Sequence, residues 1–478
     1  MINLILLFPL LACIILFLFK SKFLNNLMIN LYALLHFVVS LAFCLNIDFL
    51  PMWQSSKFFA VDSTNKIFLM VMSIVFLAVA IYNNGYTKND TSLTRKLRHY
   101  TYMVLFFVFS MTGAVLSTNL GASWVFIEGT TLASAYLIYF HKTKHSIEAA
   151  WKYVFICSIG IALAFVGIIL MTIATGNLNS LNYSDLLNNA SNFNHFWLNV
   201  SFVFILFGIG TKMGLAPVHF WLPDAHSEAP SPISALLSAT LLNCAFLVIL
   251  NVYKVMIAAN CVIFARTMLL IMGFLSLFIT SVFLYHTTNY KRMLANSSIE
   301  NMGILAIATS LGGIAYIALV IHLIGHSLIK ASFFLTSGNV LELFETKRIK
   351  SIRSLGQIDR KTAWLWILGF LGICAFPPSM LFLSEFLVVK AFLIQHHYIL
   401  CGLFLFLLTV ILFGMGRVVI KMVYGEKSEE KTQIAQKNIS KLNLSMYVPQ
   451  IVMLTLAFVL GVYVPKFLDI IIKNTIIG

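Results

Sequence analysis

The sequence predicts an all-α protein that crosses a membrane about fourteen times, and its composition is the first observation behind that prediction. Of 478 residues, 60% are hydrophobic and only 10% are charged, with a mean hydropathy of +0.92. A water-soluble protein of this size needs far more surface charge, so a substantial soluble domain is excluded. Long apolar runs also recur along the whole chain, and about 20 residues cross the hydrocarbon of a bilayer as a helix.

The predicted spans follow one another along the chain. They are residues 2–19, 28–47, 67–83, 99–117, 120–140, 150–174, 197–218, 231–252, 262–285, 294–311, 314–341, 363–390, 397–420 and 446–465. We group them into four parts: three N-terminal spans (1–98), a first five-helix repeat (99–252), a second five-helix repeat (262–420) and a cytoplasmic loop with the last span (421–478).

Lysine and arginine are distributed unequally between alternate connections. The connections that follow odd-numbered spans, together with Arg417 at the end of span thirteen, carry 22 of the 32 basic residues, whereas the even connections and both ends of the chain carry 5. Basic residues accumulate on the cytoplasmic side of membrane proteins, so both termini are predicted to lie outside. The basic run at 347–353 is then a cytoplasmic anchor, with docking of a cytosolic partner as the alternative. The net charge of +15 thus orients the chain and does not indicate nucleic-acid binding.

Neither the first span nor the cysteines indicate processing or redox chemistry. The first span lacks a basic start and a small-residue cleavage site, so we interpret it as a retained helix. The seven cysteines show no CxxC spacing and mostly lie inside apolar runs, as small core residues do. The sequence contains no motif for a metal, a haem, an iron–sulfur cluster or a phosphate-binding glycine loop. We therefore expect no cofactor.

Several ionisable side chains lie well inside the predicted spans. They are Glu128, Lys212, Glu300, His322, His326, Lys330 and Glu385. A charged side chain at the centre of a bilayer costs roughly 2.5 kcal/mol or more, so such residues are typical of ion or proton pathways.

Two of the spans contain helix-breaking residues beside these charges. Glycines surround Lys212 and Pro217 follows it, while Pro377 and Pro378 precede Glu385. Proline removes a backbone donor and crowds the preceding turn, so both helices should break or kink. A pair of interrupted spans in corresponding positions is typical of duplicated transporter halves, with a site at each break.

That duplication relates spans four to eight to spans nine to thirteen as inverted repeats. Glu128 in span five then corresponds to Glu300 in span ten, and Lys212 in span seven corresponds to Glu385 in span twelve.

Span eleven carries His322, His326 and Lys330 at a spacing of four residues. Successive groups lie about 6 Å apart along the helix axis and about 40° around it, so they form one polar stripe. Neutral histidine both accepts and donates a proton near neutral pH. A packed polar seam between helices is the alternative, but the terminal lysine and the charges in neighbouring spans favour proton conduction.

The connection after span seven contains four ionisable residues, His219, Asp224, His226 and Glu228. Their composition resembles that of a metal-binding cluster. Three prolines in the same stretch and its position at the membrane interface favour a rigid loop instead.

Four stretches resemble the proton-translocating antiporter-like family of membrane subunits. They are PVHFWLPDAHSEAPSPISALLS (217–238), NYKRMLANSSIENMG (289–303), the histidine row within IHLIGHSLIKASFFLTSGNV, and PPSMLFLSEF (377–386). The family comprises the large membrane subunits of NADH-quinone oxidoreductase (complex I), of hydrogenase-4 and formate hydrogenlyase, and of multisubunit Mrp-type sodium/proton antiporters. The stretches IEGTTLASAYL (127–137) and EAAWKYVFICSIG (148–160) are most similar to component F of hydrogenase-4.

The resemblance implies a role for each matching residue. Glu128 and Lys212 match a glutamate–lysine pair whose separation is thought to control the proton affinity of the lysine. The row in span eleven matches connecting histidines and a lysine, and Glu385 matches a terminal acid.

Two departures from the family pattern stand out. Ser238 and Asn243 occupy places where many members have histidine or lysine, so the link between the halves is expected to rest on water and span eleven. Asn289 stands where an aspartate is common. Neither change removes a core titratable group.

These observations predict a proton-translocating membrane subunit of a redox-driven complex similar to hydrogenase-4 or complex I. The alternative is a cofactor-free cation/proton antiporter or ion-uptake module, for sodium/proton exchange or proton-coupled bicarbonate uptake. The expected partners are other membrane subunits and a cytoplasmic redox arm or soluble protein. The expected ions are protons, with sodium as the alternative, and the expected location is the bacterial inner membrane. Any enzymatic activity would belong to the whole complex, because no catalytic cofactor site is evident in the sequence.

Overall fold

The computed structural model describes residues 1–19, 21–47, 58–88, 94–426 and 429–465. Within these ranges the chain consists of helices joined by short connections, and β-structure is limited to three isolated bridges. The predicted all-α fold is confirmed.

The described residues form twenty α-helices, and ten helical stretches among them are long and apolar enough to cross a membrane. The helices are α1 (Ile2–Leu18), α2 (Lys22–Cys44), α3 (Ser63–Tyr86), α4 (Thr94–Leu116), α5 (Leu120–Ile138), α6 (Lys144–Ala174), α7 (Tyr183–Asn189), α8 (His195–Met213), α9 (Leu222–Glu228), α10 (Ser231–Leu236), α11 (Leu242–Ala258), α12 (Val262–His286), α13 (Tyr290–Leu311), α14 (Ile314–Phe344), α15 (Leu355–Ile358), α16 (Arg360–Ile373), α17 (Met380–Ile394), α18 (Tyr398–Tyr424), α19 (Glu429–Asn438) and α20 (Val448–Val462).

Four predicted spans correspond to helices outside that group of ten. Helix α1 has only 17 residues, α5 and α13 are more polar, and the span predicted at 363–390 is divided between α16 and α17. Helices α10 and α11 form one continuous pass through a π-helical turn at Leu237–Leu241. The described chain thus contains helices at all fourteen predicted positions, in the predicted order.

The connections that carry most of the basic residues meet at one end of the bundle. The connection before α13 pairs with the one after α14 through an isolated bridge between Asn289 and Arg348. Lys347 reaches α9, where its Nζ lies 2.9 Å from the carboxylate of Glu228. These contacts bring three odd-numbered connections together, as an alternating path requires. We call this end of the bundle the basic end.

The even-numbered connections meet at the opposite end. Asn119 and Asn182 form an isolated bridge that joins the connection after α4 to the one after α6. A second bridge, between Phe59 and Ser117, adds the connection after α2. The passes therefore alternate in direction.

The predicted orientation of the C-terminal part concerns residues outside the described ranges. Lys427, expected in the cytoplasm, and Gly478, expected outside, both fall there. Which end of the bundle faces the cytoplasm stays a prediction.

Two passes break where the sequence predicts. Helix α8 ends one residue after Lys212, where Gly214 adopts a left-handed backbone with φ of 80°. Glycine reaches this conformation without the clash that a Cβ would cause, which makes it a common helix terminator. Helices α16 and α17 are separated by a non-helical stretch that contains Pro377 and Pro378. The prediction of two interrupted spans is confirmed.

The pass formed by α10 and α11 lies with α14 at the centre of the bundle, and both are almost entirely buried. Helices α6 and α18 lie at the perimeter, where side chains such as Trp151 and Phe406 point outward. The polar side chains of α14 are therefore shielded on all sides by other helices.

Candidate functional site

Lys212 lies in the last turn of α8 and is fully buried. Its Nζ donates a hydrogen bond of 2.8 Å to the phenol oxygen of Tyr153 and lies 4.6 Å from the centre of that ring, whose face attracts a cation. Helix α6 approaches closely because Gly208 of α8 has no side chain; a Cβ there would lie 2.4 Å from the backbone nitrogen of Ala164. Small residues allow this close packing between membrane helices.

Tyr153 connects Lys212 to α5. Its hydroxyl oxygen lies 2.6 Å from Oγ of Ser134, and its ring packs edge-on against Trp221 at 4.9 Å. Trp221 is fixed in turn by a 2.7 Å hydrogen bond from its Nε1 to the carbonyl of Thr211. Helices α5 and α6 and the break after α8 therefore all contribute to the surroundings of Lys212.

Glu128 lies on α5, where it is only partly buried. Its Oε2 accepts a 2.9 Å hydrogen bond from the hydroxyl of Thr131. The ion pairs of the described residues do not include one between Glu128 and Lys212. The glutamate–lysine pair implied by the family resemblance is therefore not in contact in this structure. The phenol of Tyr153 contacts the Lys212 ammonium instead.

Lys330 lies in the middle of α14 and is fully buried. Its Nζ donates to two groups of α13, the carbonyl of Leu294 at 2.6 Å and Oγ of Ser297 at 2.5 Å. The ring of Phe334, one turn along α14, has its centre 5.8 Å from the ammonium. Glu300 lies one turn beyond Ser297 and is 4% exposed. Helix α13 therefore binds this second lysine through uncharged oxygens.

His322 and His326 lie on the same face of α14. Their rings are parallel to within 7°, with centres 6.5 Å apart, and both are fully buried. Nδ1 of His322 lies 2.9 Å from Oγ of Ser384 on α17, the residue before Glu385. Within the described protein, no hydrogen-bond partner is found for Nε2 of His322 or for either nitrogen of His326. The predicted polar stripe is confirmed, and it leads from Lys330 to α17.

The two outermost carboxylates differ from the groups between them in exposure. Glu128 and Glu385 are partly exposed, whereas the ionisable groups between them on α8, α13 and α14 are at most 4% exposed. Apolar side chains beside both carboxylates point outward, among them Val125, Leu132 and Phe386. We call the seven residues from Glu128 to Glu385 the interior row. Five of its members are buried, and its two end members lie at outer faces of the bundle.

Ser238 and Asn243, the residues of the first family departure, face helices α13 and α14. Oγ of Ser238, in the π-helical turn, is 2.7 Å from Oγ of Ser298 on α13. Nδ2 of Asn243 donates a 2.7 Å hydrogen bond to Oγ of Ser327, the residue after His326. Uncharged hydroxyl and amide groups therefore join α10 and α11 directly to the helices that carry the second half of the row.

The family described as NADH:quinone oxidoreductase/Mrp antiporter, TM, matches this sequence over residues 117–413, which is more than half of the chain. The match contains every residue of the row from Glu128 to Glu385. The chain belongs to this family.

Individual members of the antiporter family align with most of the chain. A hydrogenase-4 component F homolog from Methylacidiphilum infernorum is 32% identical over 476 residues, which cover 96% of both chains. A Na⁺/H⁺ antiporter subunit from Alkalihalophilus pseudofirmus is 26% identical over 411 residues, which cover 86% of this chain and 81% of that one. The resemblance inferred from the sequence motifs is confirmed.

A solved structure shares the complete fold. A chain of the membrane-bound sulfane sulfur reductase, an archaeal respiratory membrane complex, superposes with a TM-score of 0.87 at 22% identity. The superposition covers 100% of this chain and 98% of that chain. The same helical fold therefore occurs in a chain of very different sequence.

Ion pairs hold the connection after α8 in this antiporter-family chain. Asp224 of α9 pairs with Lys152 of α6 at 3.2 Å and with Arg292 of α13 at 2.5 Å. Glu228 pairs with Lys347, and their two charges are largely shielded from solvent. No group of three or more histidine, cysteine or acidic residues that could hold a metal occurs among the described residues. These pairs join four elements at the basic end, which supports the interpretation as a rigid loop.

The contacts of Glu228 with Lys347 and Ser227 favour the charged form of its carboxyl. Burial alone would raise its pKa, but the ion pair with Lys347 and a hydrogen bond from Ser227 act in the opposite direction and more strongly. The pKa therefore lies below the ordinary value for glutamate.

Several polar residues of the site are not identifiable from the sequence. They are Thr131, Ser134, Tyr153, Ser297 and Ser384. Serine, threonine and tyrosine are ordinary residues in apolar helices, and nothing in their spacing distinguishes these five. Thr131 lies three residues from Glu128 on the same helix. Only the packing of one helix against another brings Ser134 to Tyr153, and Tyr153, Ser297 and Ser384 to the two lysines and His322.

Proposed function

We propose that this chain is the proton-translocating membrane subunit of a redox-driven complex of the hydrogenase-4 or complex I type. The observation that carries the proposal is the interior row of titratable side chains from Glu128 to Glu385, with hydroxyl groups between them. Alignment with a hydrogenase-4 component F homolog over 96% of both chains supports a redox-linked assembly. The energy for translocation then comes from electron transfer in partner subunits.

Lys212 controls the first half of the pathway in this proposal. A buried ammonium loses the stabilisation that water provides and depends on nearby groups. The ring of Tyr153 supplies part of that stabilisation, and the approach of the Glu128 carboxylate would supply more. When Glu128 moves away, the charged form of Lys212 becomes less stable. The lysine then releases its proton towards the second half of the pathway.

The second half of the pathway carries the proton to the outer face of the bundle at Glu385. Lys330 accepts it beside the carboxylate of Glu300, and His326 and His322 pass it on because each neutral ring accepts at one nitrogen and donates from the other. Ser384 bonds to His322 and leads to Glu385 at the outer face.

A cofactor-free cation/proton antiporter or ion-uptake module is the second candidate. The observation in its favour is the similarity to the Na⁺/H⁺ antiporter subunit of Alkalihalophilus pseudofirmus over 86% of this chain. Such a module would draw its energy from an existing ion gradient, exchanging sodium for protons or coupling protons to bicarbonate uptake. The same interior residues would serve both functions, so the partners decide between them.

Purification from native membrane tests the proposal, with identification of the co-purifying subunits. We expect other membrane subunits together with a nickel–iron or quinone-reducing arm. Recovery with only a lone soluble protein or a small membrane partner would contradict the redox-driven function and support the second candidate.

We further propose that the chain lies in the bacterial cytoplasmic membrane with the basic end inside and both termini outside. The two five-helix repeats, 99–252 and 262–420, are then its functional halves. A topology reporter fused after Gly478 should be active outside, and one placed near Lys427 should be active in the cytoplasm. A cytoplasmic C-terminus would overturn this orientation and show that the number of passes is odd.

A further inference from the structure

His226 is a histidine whose burial the rigid-loop interpretation does not explain. It lies on α9, in the connection that follows the break of α8, and it is fully buried. Neither ring nitrogen has a hydrogen-bond partner within the described protein. Most buried polar side chains are hydrogen-bonded, because leaving one unpaired costs about 1–3 kcal/mol. An apolar ring would fill the same space without leaving polar nitrogens unpaired, so packing alone does not account for a histidine at this position.

The ring of His226 lies against the second half of the interior row. It stacks on Phe334 with the ring centres 4.8 Å apart and an angle of 19°. The ammonium of Lys330 lies 5.8 Å from the centre of the same ring. His226 and Lys330 thus share one aromatic side chain, although they come from different elements.

On its other side His226 faces the basic end of the bundle. Lys291, at the start of α13, is fully buried and donates a 2.7 Å hydrogen bond to the carbonyl of Ala229, three residues after His226. Glu228, two residues after His226, forms the ion pair with Lys347 at the basic end. Polar groups therefore continue from that end inward as far as the imidazole.

Burial disfavours a positive charge on the ring of His226, and the charged groups that act on it, Lys330 and Lys291, disfavour it further. A protonated His226 is consequently short-lived while Lys330 carries its own proton. A neutral Lys330 removes the stronger of the two repulsions and offers an acceptor. Transfer through His226 is therefore favoured when Lys330 is neutral.

We propose that His226 is a proton-transfer residue that connects the basic end to Lys330, as a branch that joins the histidine row at its lysine. The Lys291 ammonium passes a proton to one ring nitrogen and regains one from the basic end, the other ring nitrogen releases its proton to the neutral amine of Lys330, and the ring returns to its neutral form as the other tautomer. The proposal rests on the proposed proton-translocating function and adds a second route to Lys330, besides the one that begins at Lys212.

His219 supplies a matched control in the same connection. It is 3% exposed, and its ring stacks on Phe220 with the centres 4.7 Å apart. Replacing either histidine by phenylalanine keeps an aromatic ring and removes the titratable nitrogens. Only the replacement at His226 should interrupt the route.

The experiment measures proton flux per assembled complex in vesicles with a pH-sensitive dye, for the complete complex carrying His226→Phe, His226→Ala or His219→Phe. We expect at least a tenfold loss for His226→Phe and less than a twofold loss for His219→Phe. His226→Ala should lose flux to a similar extent and regain several-fold when imidazole is added, because a free imidazole can occupy the space and carry the proton.

Two results would overturn the assignment of His226. One is wild-type flux in His226→Phe, and the other is a loss in His226→Ala that imidazole does not restore. An equal loss in His219→Phe would also count against it, because it would reveal a packing role for the whole connection. The proposed function fails separately, if the wild-type complex itself carries no protons in the same vesicles.

Discussion

The two buried lysines, Lys212 and Lys330, are held in different ways. The ammonium of Lys212 binds the phenol of Tyr153 and lies 4.6 Å from the ring centre. That of Lys330 binds the carbonyl of Leu294 and the hydroxyl of Ser297, and its nearest ring centre is 5.8 Å away. One site is built around a side chain, and the other is built partly on helix backbone.

This difference indicates which of the two lysines can regulate the pathway. The Tyr153 phenol lies at the end of a rotatable side chain and can move away from the Lys212 ammonium. The half-buried carboxylate of Glu128, on the neighbouring helix α5, can then take its place. A carbonyl within α13 moves only if the whole helix moves. We therefore expect control at Lys212 and conduction at Lys330.

Lys212→Ala should give the largest effect. A methyl group cannot hold a proton, so translocation should fall by roughly 100-fold or more, the range expected when a proton-transferring side chain is removed. The complex should still assemble, because alanine fits where the lysine stem packs. Proton flux into vesicles, followed with a pH-sensitive dye and divided by assembled protein, measures this.

Lys390→Ala is the control for that variant. Lys390 lies on α17 and is exposed, so its removal should leave the flux unchanged. Normal pumping by the Lys212→Ala protein would remove the first site from the pathway. Glu128→Gln should resemble Lys212→Ala, since an uncharged amide cannot stabilise the ammonium.

His326→Gln should lower the flux about tenfold without lowering stability. Glutamine keeps the hydrogen-bonding capacity but does not titrate near neutral pH. A hydrogen bond between membrane helices is worth only about 1 kcal/mol, so expression and thermal stability should stay normal. Lys330→Gln should behave in the same way. A loss of activity that merely follows a loss of assembled protein would show that the row is structural.

Tyr153→Phe should have a smaller effect, a threefold to tenfold loss of flux. The variant keeps the ring beside the ammonium and loses only the hydrogen bond from it. Tyr183→Phe is the matched control, because its hydroxyl binds Ser123 of α5 at 3.1 Å, away from either lysine. Equal losses in both variants would mean that Tyr153 has no special role at Lys212.

Glu228→Gln should have the smallest effect, on stability at the basic end. The Glu228 pKa lies below its ordinary value, so the ion pair with Lys347 is intact at neutral pH and is lost as the pH falls through the folded-state pKa. A partly exposed pair is worth up to about 1 kcal/mol. Thermal unfolding in detergent should show a slightly lower Tm for the variant at pH 7, and a difference that disappears in acid. A variant with the same Tm at pH 7 would show that the pair contributes nothing.

Much of the fold can be predicted from the sequence because the bilayer imposes it. Apolar length and the alternation of basic residues predict the fourteen passes and the grouping of their connections at opposite ends. Glycine and proline beside Lys212 and ahead of Glu385 predict both helix breaks. The spacing of four in span eleven predicts one polar stripe. Each of these properties is local to a segment of chain, so it is visible in the order of residues.

The neighbours of each charge could not be predicted, because they come from helices distant in sequence. The separation of Glu128 from Lys212 and the contact of Tyr153 with the ammonium depend on how closely α6 packs at Gly208. The placement of His226 beside Phe334 likewise depends on how α9 folds back after the break. The sequence by itself determined the order of the helices, the breaks and which ionisable groups lie within apolar spans. The tertiary structure alone decided which hydroxyls and rings those groups contact, because helix packing brings together side chains whose sequence separation carries no record of the meeting.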